Sequence, residues 1–181
     1  MGSAGLKECQ GFRNGFDFSG TAGQGAGFEA GCGGYGYNAT YVGGRHDLHG
    51  IGDEALRRSA RIDEIHRPAE TIMFTDSAYV TGTGTAKTKI EYSFCEPPFH
   101  EYGPYASYFD EPGTFNPTID FRHLKQTNVA WTDGHADSHS MDFTDPYTTH
   151  GSTTADELKR LGVGWFGPRS NMLFSVTKKE R

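Results

Sequence analysis

No run of apolar residues in this chain approaches the roughly 20 needed to cross a bilayer as a helix, and hydrophobic residues make up only 35% of it. Concentrated positive charge is missing too. The formal charge is −6, and the one basic run, Lys178-Lys179-Glu180-Arg181, is too short to neutralise a phosphate backbone, which argues against nucleic acid as a partner. The three cysteines, Cys9, Cys32 and Cys95, contain no CxxC pair, so a zinc ribbon or a thioredoxin-like motif is excluded. GxSxG and HExxH are absent, and with them the nucleophile elbow and the helical zinc-protease motif. The glycines between Gly23 and Gly34 follow no apolar strand and open no amphipathic helix, so they are not a dinucleotide fingerprint.

What is present is glycine and aromatic side chains: 25 glycines, and 13% Phe, Tyr and Trp over 181 residues. That length allows one domain with a core, and few Leu and Ile beside many rings predicts a loop-rich β protein whose core relies on aromatics. The expected class is α+β, mainly antiparallel β, with long Gly-, Pro- and aromatic-rich loops and few short helices. Residues 10–36 read as an irregular loop anchored by Phe12, Phe16, Phe18 and Phe28. A short helix is predicted over 53–60. A central strand is expected from Thr71 to Val80, an exposed one from Lys87 to Phe94, and a last one from Asn171 to Val176. Glu96 to Asn116 reads as an ordered excursion packed by Phe99, Tyr102, Tyr105, Tyr108 and Phe109. Thr154-Ala155-Asp156-Glu157 has capping-box spacing, which starts a helix through Leu161 that Gly162 ends. In an oxidising compartment Cys9–Cys32 and Cys32–Cys95 are the open pairings, and three free thiols are the third alternative.

The most informative stretch is Arg122-His123, followed by Asp133-Gly134-His135. Asn128–Thr132 and His135–Met141 are extended runs, and Asp133-Gly134 between them suits a two-residue type I′ turn. Regular alternation puts His135, Asp137 and His139 on one face and Ala136 and Ser138 on the other. His135 and His139 are then roughly 13 Å apart, so the strand alone cannot bring both to one ion. The metal candidates are His135, Asp137, His139, Asp142 and Asp145, for zinc or calcium; no EF-hand pattern surrounds the last two. Asp76, at the end of an apolar strand, could face the hairpin and complete a carboxylate–histidine pair. His46, Asp47 and His49 form a second small cluster, which reads as solvated loop. His123 and Asp133 themselves read as architecture: Asp133 in the turn, and His123 donating to the hairpin backbone or to Asp133.

The spacing of His123, nine residues, then Asp133-Gly134 resembles the signature of the prepilin-type processing-associated H-X9-DG family. Tyr35-Gly36-Tyr37-Asn38 with Val42-Gly43-Gly44, and Pro68-Ala69-Glu70-Thr71 running into Asp76-Ser77, resemble that family's other segments in the same order. The resemblance spans about residues 30–142 and implies a pseudopilin-like globular head over 6–181, related to type II secretion and type IV pilus components. It implies a cell-envelope location, assembly with other pilin-like subunits through an N-terminal helix, and contacts with a glycan or an exported protein. Members begin with a leader and a long apolar helix. Here Met1 to Gly5 resembles an expression remnant, so the chain is expected to be the head without its helix. By the same resemblance, calcium could sit among loop carboxylates. Two other functions compete with this non-catalytic one: a metal-assisted hydrolase using His123, Asp133 and His135, and a carbohydrate-binding module using Trp131, Trp165 and tyrosine platforms.

Overall fold

A computed structural model describes residues 33–49, 53–82, 87–99, 116–144 and 153–177. The architecture is α+β and dominated by antiparallel pairing. Its main sheet has four strands in the order β1-β2-β6-β7: β1 Tyr35–Tyr37, β2 Ile72–Asp76, β6 Gln126–Trp131 and β7 Ala136–Ser140. Two small ribbons flank it: β3 Tyr79–Thr81 with β4 Thr88–Ile90, and β5 Ile119–Asp120 with β8 Val163–Gly164.

Strand β6 explains the layering. Thr127, Val129 and Trp131 point inward while Gln126 and Asn128 are exposed, the period-2 pattern of a sheet with one wet face. The inner face packs on rings, as the composition predicts: Tyr41, Phe121, Phe143, Trp165, Phe166 and Phe174 are all buried. A satellite cluster of Val80, Leu158 and Val163 lies under the helix Ala155–Leu161. That helix is capped at both ends as its sequence predicts. Thr154 and Glu157 exchange the two capping-box bonds, and Gly162 takes the left-handed conformation at φ 71°. Among the described residues no helix is long and apolar enough to cross a membrane.

Three expectations change. The strand predicted from Thr71 to Val80 breaks at Ser77-Ala78 into β2 and β3, because the buried Ser77 leaves the sheet to bond the Phe94 and Thr118 carbonyls. Asn171–Val176 is not a strand. Asn171–Leu173 is a 3₁₀ turn whose Asn171 amide binds the Tyr41 hydroxyl and the Phe99 carbonyl, so side-chain bonds replace a ladder. The helix predicted over 53–60 is one turn, Asp53–Leu56. The anchors Phe12, Phe16, Phe18 and Phe28, and Tyr102, Tyr105, Tyr108 and Phe109, lie outside the described residues, as do Cys9 and Cys32. Cys95 is a buried free thiol whose pKa burial pushes up, and both pairings considered for Cys32 involve a residue outside the described ones.

Candidate functional site

The three segments that carry the H-X9-DG resemblance become neighbouring strands. Tyr35–Tyr37 pairs with Asp76–Phe74, and β2 pairs with β6, so all three cross the same sheet. The close approach of β1 to Ser77 and Phe94 depends on one glycine. A Cβ on Gly36 would come within 2.6 Å of the Phe94 carbonyl carbon and of Ser77 Cβ. Asn38, fully buried, then ties the sheet to the C-terminal region: its amide donates to the Ile72 and Phe174 carbonyls at 2.9 Å each, and its carbonyl accepts from Tyr41 N–H. Tyr37 is half-buried beside Phe74, with ring centroids 5.0 Å apart. Desolvation raises the pKa of its hydroxyl.

At the first end of the signature lies a buried ionic network. Asp76 is wholly buried and receives Arg122 Nη2 on Oδ1 at 2.8 Å and Asn128 N–H on Oδ2 at 2.8 Å. His123 Nε2 stands 3.3 Å from the same Oδ2. Arg122 also donates to Asp120 Oδ2 at 3.2 Å and to the Gly34 carbonyl, and Lys89 Nζ reaches Asp120 Oδ1 at 2.7 Å. Two carboxylates thus face the Arg122 guanidinium and the Lys89 amine, and the remaining contacts are hydrogen bonds. Buried ions need this kind of compensation. Burial raises the Asp120 pKa, and Lys89 and then Arg122 oppose that rise without cancelling it.

The second end of the signature is exposed. The hairpin forms where the sequence places it, with Ala130 opposite Ala136, but its turn is different. Leu124 and Lys125 are the only described non-glycine residues with positive φ, so Asp133 cannot occupy a type I′ turn. The loop is instead Thr132-Asp133-Gly134, closed by Gly134 N–H to the Trp131 carbonyl and Trp131 N–H to the His135 carbonyl. With Gly134 at φ 95°, this is the three-residue turn with a glycine bulge. Asp133 accepts from His135 N–H at 3.1 Å and lies 2.6 Å from His135 Nδ1, which lowers its pKa.

His135, Asp137 and His139 share one face, as alternation predicts, and gather around Trp131. The indole N–H donates to Asp137 Oδ1 at 2.7 Å, and His139 Nε2 lies 3.0 Å from the same oxygen. His135 stacks on Trp131, and His139 stacks on Phe166 with centroids 4.4 Å apart. The imidazoles are therefore engaged with rings and carboxylates. Among the described residues no group of three or more His, Cys, Asp and Glu could hold a metal ion. Asp142 accepts from Gly167 N–H at 2.6 Å, and Asp145 lies outside the described residues. His46 and His49 sit on a single helical turn, His46–His49.

Two predicted constellations come apart. His123 pairs with Asp76 and not with Asp133, and β6 separates it from Asp133 and His135 by about 17 Å of strand rise. The hydrolase trio is thus not one cluster. Trp165 is fully buried against Phe143, with its indole N–H on the Glu96 carbonyl, and Trp131 is 5% exposed; neither offers a face to a sugar. Sequence reasoning assigned no role to Arg122, Asp120 or Lys89. Asp120 and Arg122 stand two apart around the buried Phe121, so alternation held the signal that both turn to one side. No protein-family model, no curated protein and no solved structure matches the chain.

Proposed function

We propose that the chain is the non-catalytic head of a pseudopilin-like envelope protein of the H-X9-DG type, and that its signature residues are architecture. The observation that carries this reading is the saturation of Asp76. Arg122, Asn128 N–H and His123 converge on a carboxylate with about four acceptor sites, which leaves little for a substrate or a metal. Here the Asp76–Arg122 pair clamps β2 to the segment entering β6, and Asn38 clamps β2 to the C-terminal region. Such a head would face outward from the cell envelope while an upstream apolar helix packs among other pilin-like subunits. Its partners would be neighbouring heads, a glycan or an exported protein.

Elemental mass spectrometry of the purified protein, with melts in the presence and absence of EDTA, tests the architectural reading. We expect no stoichiometric metal and no shift. One equivalent of zinc, with a lower melting temperature in chelator, would overturn the reading of the signature residues as architecture, whereas calcium is compatible with a pilin-like head. Assembly is tested separately by placing a pilin-type helix before the chain. The fusion should fractionate with the envelope and cross-link to its neighbours.

A further inference from the structure

The residues after β7, the helix Ala155–Leu161 and the His123–Gln126 turn line an open cleft of about 1330 Å³. Its charge runs against that of the chain. The whole sequence carries −6, yet four exposed cations line this cleft, Lys125, Lys159, Arg160 and Arg169, against two exposed carboxylates, Asp142 and Asp156. None of the four cations has an ion pair with a described residue. The deeper Lys89 and Arg122 are already committed to Asp76 and Asp120. Apolar surface lies beside the charges, from Leu124, Met141 and Leu161.

The rim adds a second, independent observation. His123 and Gln126 exchange both backbone hydrogen bonds across a two-residue turn, and its central residues, Leu124 and Lys125, stand at φ 54° and 69°. Both residues are in the left-handed region that L side chains rarely adopt, where Asn or Gly is the usual occupant. The strained backbone holds Leu124 97% exposed at the cleft mouth, beside Lys125. Strain of this kind concentrates at ligand clamps.

We propose that this cleft binds an acidic peptide segment in which carboxylates alternate with apolar side chains, a partner that goes beyond the envelope-head reading and does not depend on it. The carboxylates meet Lys125, Lys159, Arg160 and Arg169, and the apolar side chains meet Leu124 and Met141. An acidic glycan would satisfy the cations alone. Phe121 and Phe143 are buried and give a sugar ring no platform, and an exposed leucine is not a sugar contact.

The test is fluorescence anisotropy of the whole chain with a labelled decapeptide alternating Glu with Leu, beside the same peptide with Lys for Glu and an oligogalacturonate. Saturable, salt-sensitive binding of the acidic peptide alone is expected. Lys125→Glu with Arg160→Glu, both exposed, should weaken it by about tenfold or more through like-charge repulsion. Replacing Leu124-Lys125 by Asn-Gly relaxes the turn, so that variant should melt higher while binding at least about fivefold more weakly. Unchanged binding in the charge-reversed variant, capture of the oligogalacturonate in place of the peptide, or no saturable binding would each overturn the proposal.

Discussion

The two ends of the signature carry the same residue types in opposite surroundings. At one end Asp76, Asp120, Arg122 and His123 are packed into a network in which both carboxylates are wholly buried. At the other, Asp133, His135 and Asp137 stand in solvent, held by hydrogen bonds among themselves and with His139 and by the Trp131 and Phe166 rings. The difference shows that burial decides what a histidine–aspartate pair is worth. An exposed pair gains little because water competes for both partners. A buried pair is costly to break because the surviving charge has nowhere to go.

The largest expected effect is therefore at the buried end. Asp76→Ala strands the Arg122 guanidinium and removes the acceptor of Asn128 N–H. It should lower unfolding free energy by about 3–5 kcal/mol in urea denaturation. Asp133→Ala at the exposed end should lose far less. Comparable losses at the two sites would break the contrast.

Next in size is a gain. Two consecutive left-handed L residues cost roughly 1–2 kcal/mol each, so replacing Leu124-Lys125 by Asn-Gly should raise unfolding free energy by about 1–3 kcal/mol in the same titration. The reverse exchange at Asp133-Gly134 would not help, because that loop needs only one positive φ and already has glycine there. Failure of the Asn-Gly variant to stabilise would mean that the buried network does not force the turn.

This pair of turns also marks where the sequence was legible and where it was not. Alternation in Asn128–Trp131 and Ala136–Ser140 reveals the hairpin, its inward face and the clustering of His135, Asp137 and His139, because a period of 2 is a local property. The capping box at Thr154 was legible for the same reason. Turn type was not. Asp-Gly suits both a two-residue and a three-residue loop, and the register of Trp131 against His135 chooses between them. The turn at Leu124-Lys125 had no turn residues to announce it, since tertiary bonds on both sides impose it. The Asp76 network was half legible: its pairing with a histidine of the signature follows from strand ends, and alternation sets Asp120 beside Arg122, but Lys89 arrives from a segment 31 residues from Asp120. Ser77 broke a predicted strand for a similar reason, because its two carbonyl partners lie 17 and 41 residues away.

The smallest expected effect is the sharpest test, because the two ends should respond to pH with opposite signs. Burial raises the Asp120 pKa above its ordinary 3.8, so the folded state holds a proton that the unfolded chain has lost. Stability from that group is present at low pH and falls as pH rises through the raised value. Asp133 is lowered from 3.8 by the His135 N–H and side chain. Its contribution is present above 3.8 and disappears as pH falls through the lowered value. Calorimetry from pH 2 to 7 should find that Asp120→Asn makes stability decline more steeply on acidification, whereas Asp133→Asn flattens the decline below about pH 4. The same sign in both variants would mean that Lys89 and Arg122 outweigh desolvation at Asp120, and that the buried end behaves as an ordinary salt bridge.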